Sequence, residues 1–248
     1  MSKKKKKNLL DQKIDNTNAE LVKAYKQQAD KIINECEKLY LKLQAGGQLS
    51  LAELYRQDRY YQLLGDINKR LNKLGAAEIK IINSGMLELY QLALKETNQW
   101  ARVDEKKVQE VVDTIWCSDG KLWSDRIWQD KVLLQQELSD NLMNAVVQGI
   151  DSRKVAAVLA QRMNVARHRS ECIVRTEMCR IQNKAAMEGY IQAGYTKYKY
   201  LAAHDSRTSD ICLALDGQVF SFAEAQEGIN FPPTHPNCRS TIIAYKGE

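Results

Sequence analysis

The stretch IQAGYTKYKYL, residues 191–201, marks where the pattern of this chain changes. Up to Tyr190 the apolar residues recur at helical intervals. From Tyr195 onward aromatic residues alternate with Lys197 and Lys199, the period-two pattern of a half-buried strand. Gly194 stands between the two regimes as a helix stop. Downstream, Val219-Phe220 and residues 241–245 are further β-like runs, and Asp216-Gly217 is a hairpin-turn signal. The fold class that follows is mainly α: a long helical body, then a small α+β C-terminal module with short antiparallel strands.

Upstream of this stretch nothing forces the chain out of helix. All 3 prolines lie between positions 232 and 236, so the first 231 residues lack the strongest helix breaker. From Ile127, the apolar positions Leu134, Leu138, Leu142 and Ala145 outline one buried stripe. Gly149 stops that helix, and Asp151 or Ser152 starts the next, which runs through Tyr190. Residues 14–45 read as one long helix ended by Gly46-Gly47. Ser50 and Glu53 form a capping box for a helix over 51–64, interrupted at Gly65. Residues 67–97 continue helical, broken or weakened at Gly75 and Gly85, and Asp104 caps a further helix through Trp116. Residues 117–120 form a turn, and Trp123 and Trp128 are expected core anchors. The expected organisation is a disordered basic tail (1–13), an N-terminal helical region (14–118) and a C-terminal domain (119–248). That domain holds helices over 121–190 and a β module over 195–246.

Of the 248 residues, 44% are hydrophobic and 27% charged, enough apolar material to bury a core. An all-β sandwich would need many Gly/Pro-rich turns, which are missing. No apolar run approaches the roughly 20 residues that cross a bilayer, so no membrane partner is expected. No secretory leader is expected either. The net charge of +6 sits mostly in the first 13 residues, where six lysines face Asp11 and leave +1 for the rest. Lys3, Lys4, Lys5, Lys6 and Lys7 are candidates for non-specific DNA contact, against the plainer reading of a solvated tail. Residues 153–184 hold eight Arg/Lys against two Glu, the most basic folded stretch. The six cysteines, at 36, 117, 172, 179, 212 and 238, include no CxxC pair, so free thiols in a reducing compartment are expected. Cys172 and Cys179, seven apart on one helix face, read as buried thiols.

The chemistry-bearing residues concentrate in the last 45 positions. The prolines flank His235, which is spaced HxxC from Cys238, and Cys212 lies 26 residues earlier. Zinc takes Cys and His in tetrahedral sites, and a small strand module gains most from such a staple. A fourth ligand would have to come from Asp205, His204, Asp210 or Asp216. The alternative is a histidine that caps a turn and two thiols packed as small apolar groups. Mid-helix, Arg175-Thr176-Glu177 reads as structural, with Glu177 bridging to Arg180 or Arg207, because Arg and Glu are costly to bury unpaired.

The strings DSRTSDICLALDGQVF (205–220) and GINFPPTHPNCRSTI (228–242) resemble the C-terminal signature of phage head-morphogenesis proteins, the minor capsid proteins similar to the F protein of phage Mu. Two further stretches are similar: KLWSDRIWQDKVLLQQELSDNLMNAVVQGIDSRKVAAVLA (121–160) and ARHRSECIVRTEMCRIQNKAAMEGY (166–190). The resemblance implies a structural role and no enzyme activity, with no catalytic residues and no required cofactor. It implies binding to the portal, the major capsid protein or a scaffold. The location it implies is the capsid interior or portal vertex, with the host cytoplasm during assembly, and some relatives influence DNA packaging or ejection. Some relatives also carry toxin domains after this module; none is expected here, since the sequence stops at Glu248.

Within the matching strings, Arg175, Glu177, Arg207, Asp216, Gly217, Pro233 and Arg239 are expected to stabilise the module. Many relatives carry cysteine where Ser209 and Ser240 stand, which favours a metal-free loop with His235 bonded to backbone or to Asp205. In either form His235 and Cys238 should face Cys212 and an aspartate, and the run after Arg239 should pair with 198–201 or with Val219-Phe220. Two other functions compete. One is a metal-assisted or His235-dependent nuclease with Arg207, Thr208 or Arg239 holding a phosphate. The other is a non-specific DNA-binding protein using the lysine tail and the arginines of 153–184.

Overall fold

The computed structural model describes residues 9–45 and 59–246. Among them are six α-helices: α1 (Leu9–Ala45), α2 (Arg59–Thr97), α3 (Glu105–Val112), α4 (Trp123–Gln148), α5 (Ser152–Gln192) and the short α6 (Asp210–Leu215). Strands β1 (Lys197–Leu201), β2 (Val219–Ser221) and β3 (Thr241–Tyr245) all follow α5, so the molecule is mainly α with a small α+β end. The expected capping box at Ser50 and Glu53 lies outside the described residues, as does the run Lys3 to Lys7.

The chain folds as two compact units, each assembled from separate stretches. One contains residues 19–80 and 124–170, and its described secondary-structure elements are all helices. Its core is the set of apolar positions spaced at helical intervals: Leu21, Tyr25 and Ile32 of α1, Ile67, Leu71 and Leu74 of α2, Leu134, Leu138 and Leu142 of α4, Leu159 and Met163 of α5. A buried polar circuit crosses this core. Lys131 forms an ion pair with Glu78 at 2.7 Å and donates to the Tyr25 hydroxyl. Ser170 Oγ donates to Glu78 at 2.8 Å, so the 2.9 Å contact between Tyr25 and Ser170 is completed by the tyrosine proton. Asp130 adds a bond to Arg169. Each buried charge is thereby paired, the condition for burial to be tolerable.

Several boundaries differ from expectation, for identifiable reasons. α1 begins at Leu9 rather than residue 14, because Leu10 is buried and Lys13 pairs with Glu88 at 2.5 Å. α2 runs unbroken through Gly65, Gly75 and Gly85. Two of these glycines are close-approach points rather than breaks. A Cβ on Gly75 would lie 2.7 Å from the Trp128 ring, and one on Gly85 would lie 2.6 Å from both Met178 Cε and Thr17 Oγ1. Trp128 is accordingly a partly exposed lid on Gly75, at 38% exposure, whereas Trp123 is buried as anticipated. α3 is capped by Asp104, which accepts from Lys106 N at 3.0 Å, but ends at Val112 instead of Trp116. Asp216-Gly217 is not a two-residue hairpin: it follows α6, and Gly217 (φ +76°) turns the chain into β2 while its N–H donates to the Tyr200 carbonyl.

The second unit contains the described residues 9–18, 81–123 and 171–246. Its sheet has the order β2-β1-β3 and is antiparallel throughout, with Tyr198 opposite Phe220 and Ala244, and Tyr200 opposite Ile242. β3 therefore pairs with β1. Tyr198 and Tyr200 point inward, and Lys197 and Lys199 lie on the exposed face, which realises the alternation in the sequence. The inward face packs on α5. Tyr198, Phe222, Phe231 and Ile242 cluster with Ala186, while Tyr200, Cys212 and Cys238 cluster with Cys179.

Candidate functional site

Two segments and one strand side chain converge at the second of these clusters. Ser209 caps α6 by accepting from the Cys212 amide at 3.3 Å, which fixes the orientation of Cys212. The other segment is the loop 231–240, which contains a cis Pro232–Pro233 bond and a left-handed Asn237 (φ 59°). This loop is fastened to α5: Asn237 N donates to Thr176 Oγ1 at 2.9 Å, and its side-chain amide reaches the half-buried Cys172 sulfur at 3.1 Å. Asn183 acts like a piece of strand edge, donating to the Ser240 carbonyl at 3.1 Å and accepting from Ile242 N at 3.1 Å.

The result brings Cys212, His235 and Cys238 together, with their ligand atoms all within 4.8 Å of one another. Cys212 Sγ stands 3.2 Å from His235 Nε2 and 3.7 Å from Cys238 Sγ. Tyr200 OH and Thr234 Oγ1 each approach Cys212 Sγ at 3.3 Å. The other ring nitrogen, Nδ1, contacts the Pro236 carbonyl at 2.8 Å. A carbonyl only accepts, so Nδ1 carries the proton and Nε2 faces the sulfur.

The electrostatics follow this geometry. The Cys179 thiol beside Cys238, helped by backbone groups of Thr234 and Ser240 and opposed by burial, pulls Cys238 well below the ordinary thiol value. Cys179 moves the opposite way, pushed up by its bond to Cys238 and by full burial. Burial opposes ionisation of Cys212, but hydroxyls of Ser209, Ser240, Thr234 and Tyr200 outweigh it and lower the thiol. Burial also works against the charged imidazole of His235, yet the Pro236 carbonyl and Cys212 prevail and raise it.

No aspartate joins the cluster, contrary to expectation. Asp205 is held by Arg239 through two bonds of 2.6 Å and accepts from Arg207 N at 2.8 Å. Those arginines, Arg239 foremost, keep its carboxyl well below the usual carboxylate range. Asp216 accepts from Ala202 N at 2.8 Å and faces His204 at 3.0 Å, and Asp210 is exposed. Of the other module residues, Pro233 is buried and accepts from Gly228 N, and Arg175 pairs with Glu171 rather than with Glu177.

Glu177 bridges to Arg180 at 2.8 Å and not to Arg207, which faces Asp205. Around that pair lies a set the sequence did not reveal as one. Trp116 Nε1 donates to Glu177 at 3.0 Å, and Arg180 Nη2 donates to the Val112 carbonyl. Glu227 stands 3.7 Å from Arg180 and 3.4 Å from Lys184. The i,i+3 spacing signals Glu177–Arg180. No local pattern signals Trp116, Glu227 or Asn183, whose partners lie 50 or more residues away or, for Glu227, in another element.

The arrangement closes a loop on a helix and orders the sheet beside it. No curated protein and no solved structure matches the chain. One family model does, described as Phage Mu protein F like protein, over residues 136–243. The match takes in the end of α4, all of α5 and the sheet module to within β3, including Cys212, His235 and Cys238. Over these residues, fewer than half of the chain, the protein is similar to the Phage Mu protein F-like family.

Proposed function

We propose that this protein is a structural minor component of the phage head that binds the portal or the inner capsid during assembly, and that it aids DNA packaging or ejection from there. The observation that carries the reading is the family match over residues 136–243. The module's own chemistry supports a structural part. Several of its charged residues pair with each other: Asp205 with Arg239, Glu177 with Arg180, Glu227 with Lys184. Arg207 and Arg239, the cations a nuclease would turn to a phosphate, share Asp205 instead.

The basic stretch of α5 is compensated in part. Arg169, Arg175, Arg180 and Lys184, four of its eight cations, pair with carboxylates within the fold. Phage lacking the gene should yield defective or non-infectious particles, and the protein should co-purify with portal or capsid. Fully infectious particles at normal head yield from the deletion would refute the role.

A further inference from the structure

We propose that Cys212, His235 and Cys238 bind one zinc ion, which clips the loop 231–240 to α6, with a water as the fourth ligand. The inference concerns this chain's own side chains and is independent of the assembly role.

Two of the three ligand separations match one tetrahedral centre, and all three ligand atoms lie within 4.8 Å of one another. Two sulfurs each about 2.3 Å from a zinc stand about 3.8 Å apart, and a sulfur and an imidazole nitrogen about 3.5 Å apart. The corresponding separations here are 3.7 Å and 3.2 Å. The sulfur pair alone decides nothing, since 3.7 Å is also ordinary contact between two packed thiols. The imidazole decides it. Nδ1 is engaged by the Pro236 carbonyl, which leaves Nε2 as the ring nitrogen for a metal, and Nε2 faces Cys212 Sγ. An outer bond from the far ring nitrogen to a carbonyl is how proteins orient metal-binding histidines.

The surroundings of Cys212 add a second argument. Tyr200 OH and Thr234 OH both lie 3.3 Å from Cys212 Sγ, and a neutral thiol is a weak acceptor. Hydroxyls directed at one sulfur suit a thiolate, the form that binds metal. A thiol still protonated before binding would release its proton to solvent. The two cysteines stand too far apart for a disulfide, whose sulfurs approach to about 2.05 Å.

Three protein ligands suffice when water completes the tetrahedron. Beside Cys212 and His235 lies a cavity of about 10 Å³, bordered by Thr208, Ser209 and Arg239. That is room for about one water. Ser209 and Ser240 are therefore not needed as ligands, and the Ser209 side chain is used to cap α6.

The test is metal analysis of the full chain, purified, exposed to zinc and dialysed. One zinc per chain is expected, falling to under a tenth in Cys212→Ser and Cys238→Ser and unchanged in Cys36→Ser. Cobalt(II) in place of zinc should give a sulfur-to-metal charge-transfer band and the strong visible absorption of a tetrahedral ion. His235→Gln, which leaves both sulfurs in place, serves as the fold-preserving variant, checked by circular dichroism. It should bind cobalt at least tenfold more weakly with helix content unchanged. Absence of zinc from wild-type protein would overturn the proposal. So would metal retained in Cys212→Ser, or cobalt bound without the sulfur band.

Discussion

Among the described residues Arg180 is the largest fully buried side chain, in the middle of α5, and its charge is tolerable there only because Glu177, Glu227 and the Val112 carbonyl meet it. Removing one member leaves the others buried without a counter-charge. Arg180→Met is therefore expected to cost about 3–5 kcal/mol in urea unfolding. In the helical unit, Lys131→Met should cost a similar amount by stranding Glu78. Adding Glu78→Leu should recover most of that loss, since a matched apolar pair replaces the ion pair. Failure of the double variant to recover would show that the hydroxyl bonds of Tyr25 and Ser170 matter more than the charges. At Asp205 the sign of the pH effect is fixed by its lowered pKa, for which Arg239 is the main cause. Its contribution is fully present above the ordinary carboxylate value near about 4 and fades as pH falls through the lower folded value. The melting-temperature difference between wild type and Asp205→Asn should hold from neutral pH down to that value and vanish in stronger acid.

At the scale of single elements, α2 separates two uses of glycine. Gly65 has nothing within 4 Å of a would-be Cβ, so its only effect is the entropy a flexible residue loses on entering a helix. Gly65→Ala should stabilise by about 0.5–1 kcal/mol. Gly85 lets α2 approach Thr17 of α1 and Met178 of α5 at distances no Cβ allows. Gly85→Ala should destabilise by about 1–3 kcal/mol, from overpacking. The same substitution thus takes opposite signs 20 residues apart in one helix, which thermal unfolding of the two variants will show. Sequence reading treated both glycines as weak points, because a pattern along one helix contains no information about what lies across from it.

For the whole molecule, the +6 charge is a property of the lysine run more than of the fold. Deleting residues 1–8 removes five lysines and leaves +1, with α1 starting at Leu9 intact. If the run contacts DNA, that deletion should lower affinity and reduce the slope of log K against log salt by about four to five, near 0.9 per lost phosphate contact. An unchanged slope would move the contact to the α5 cations. In that case Arg153, Lys154 and Arg162 would be the first to test, because Arg169, Arg175, Arg180 and Lys184 already face carboxylates.

The order of helices and strands was written in local chemistry. The absence of proline before position 232, the 3.6-residue stripes and the switch to alternating tyrosine and lysine at Tyr195 each act within a few residues, so they can be read from the sequence. The nearness of Cys212, His235 and Cys238 was legible in part, because HxxC and the flanking prolines describe one tight loop. Which fourth group stands beside them was not legible. Asp205, Asp216 and Asp210 all lie within seven residues of Cys212, and only the fold sends the first to Arg239 and the second to the Ala202 amide. The buried polar groups Glu78–Lys131 and Glu177–Arg180–Glu227 belong to the same class. Their partners come from different elements, and what makes them stable is desolvation and pairing, which exist only once the chain has folded.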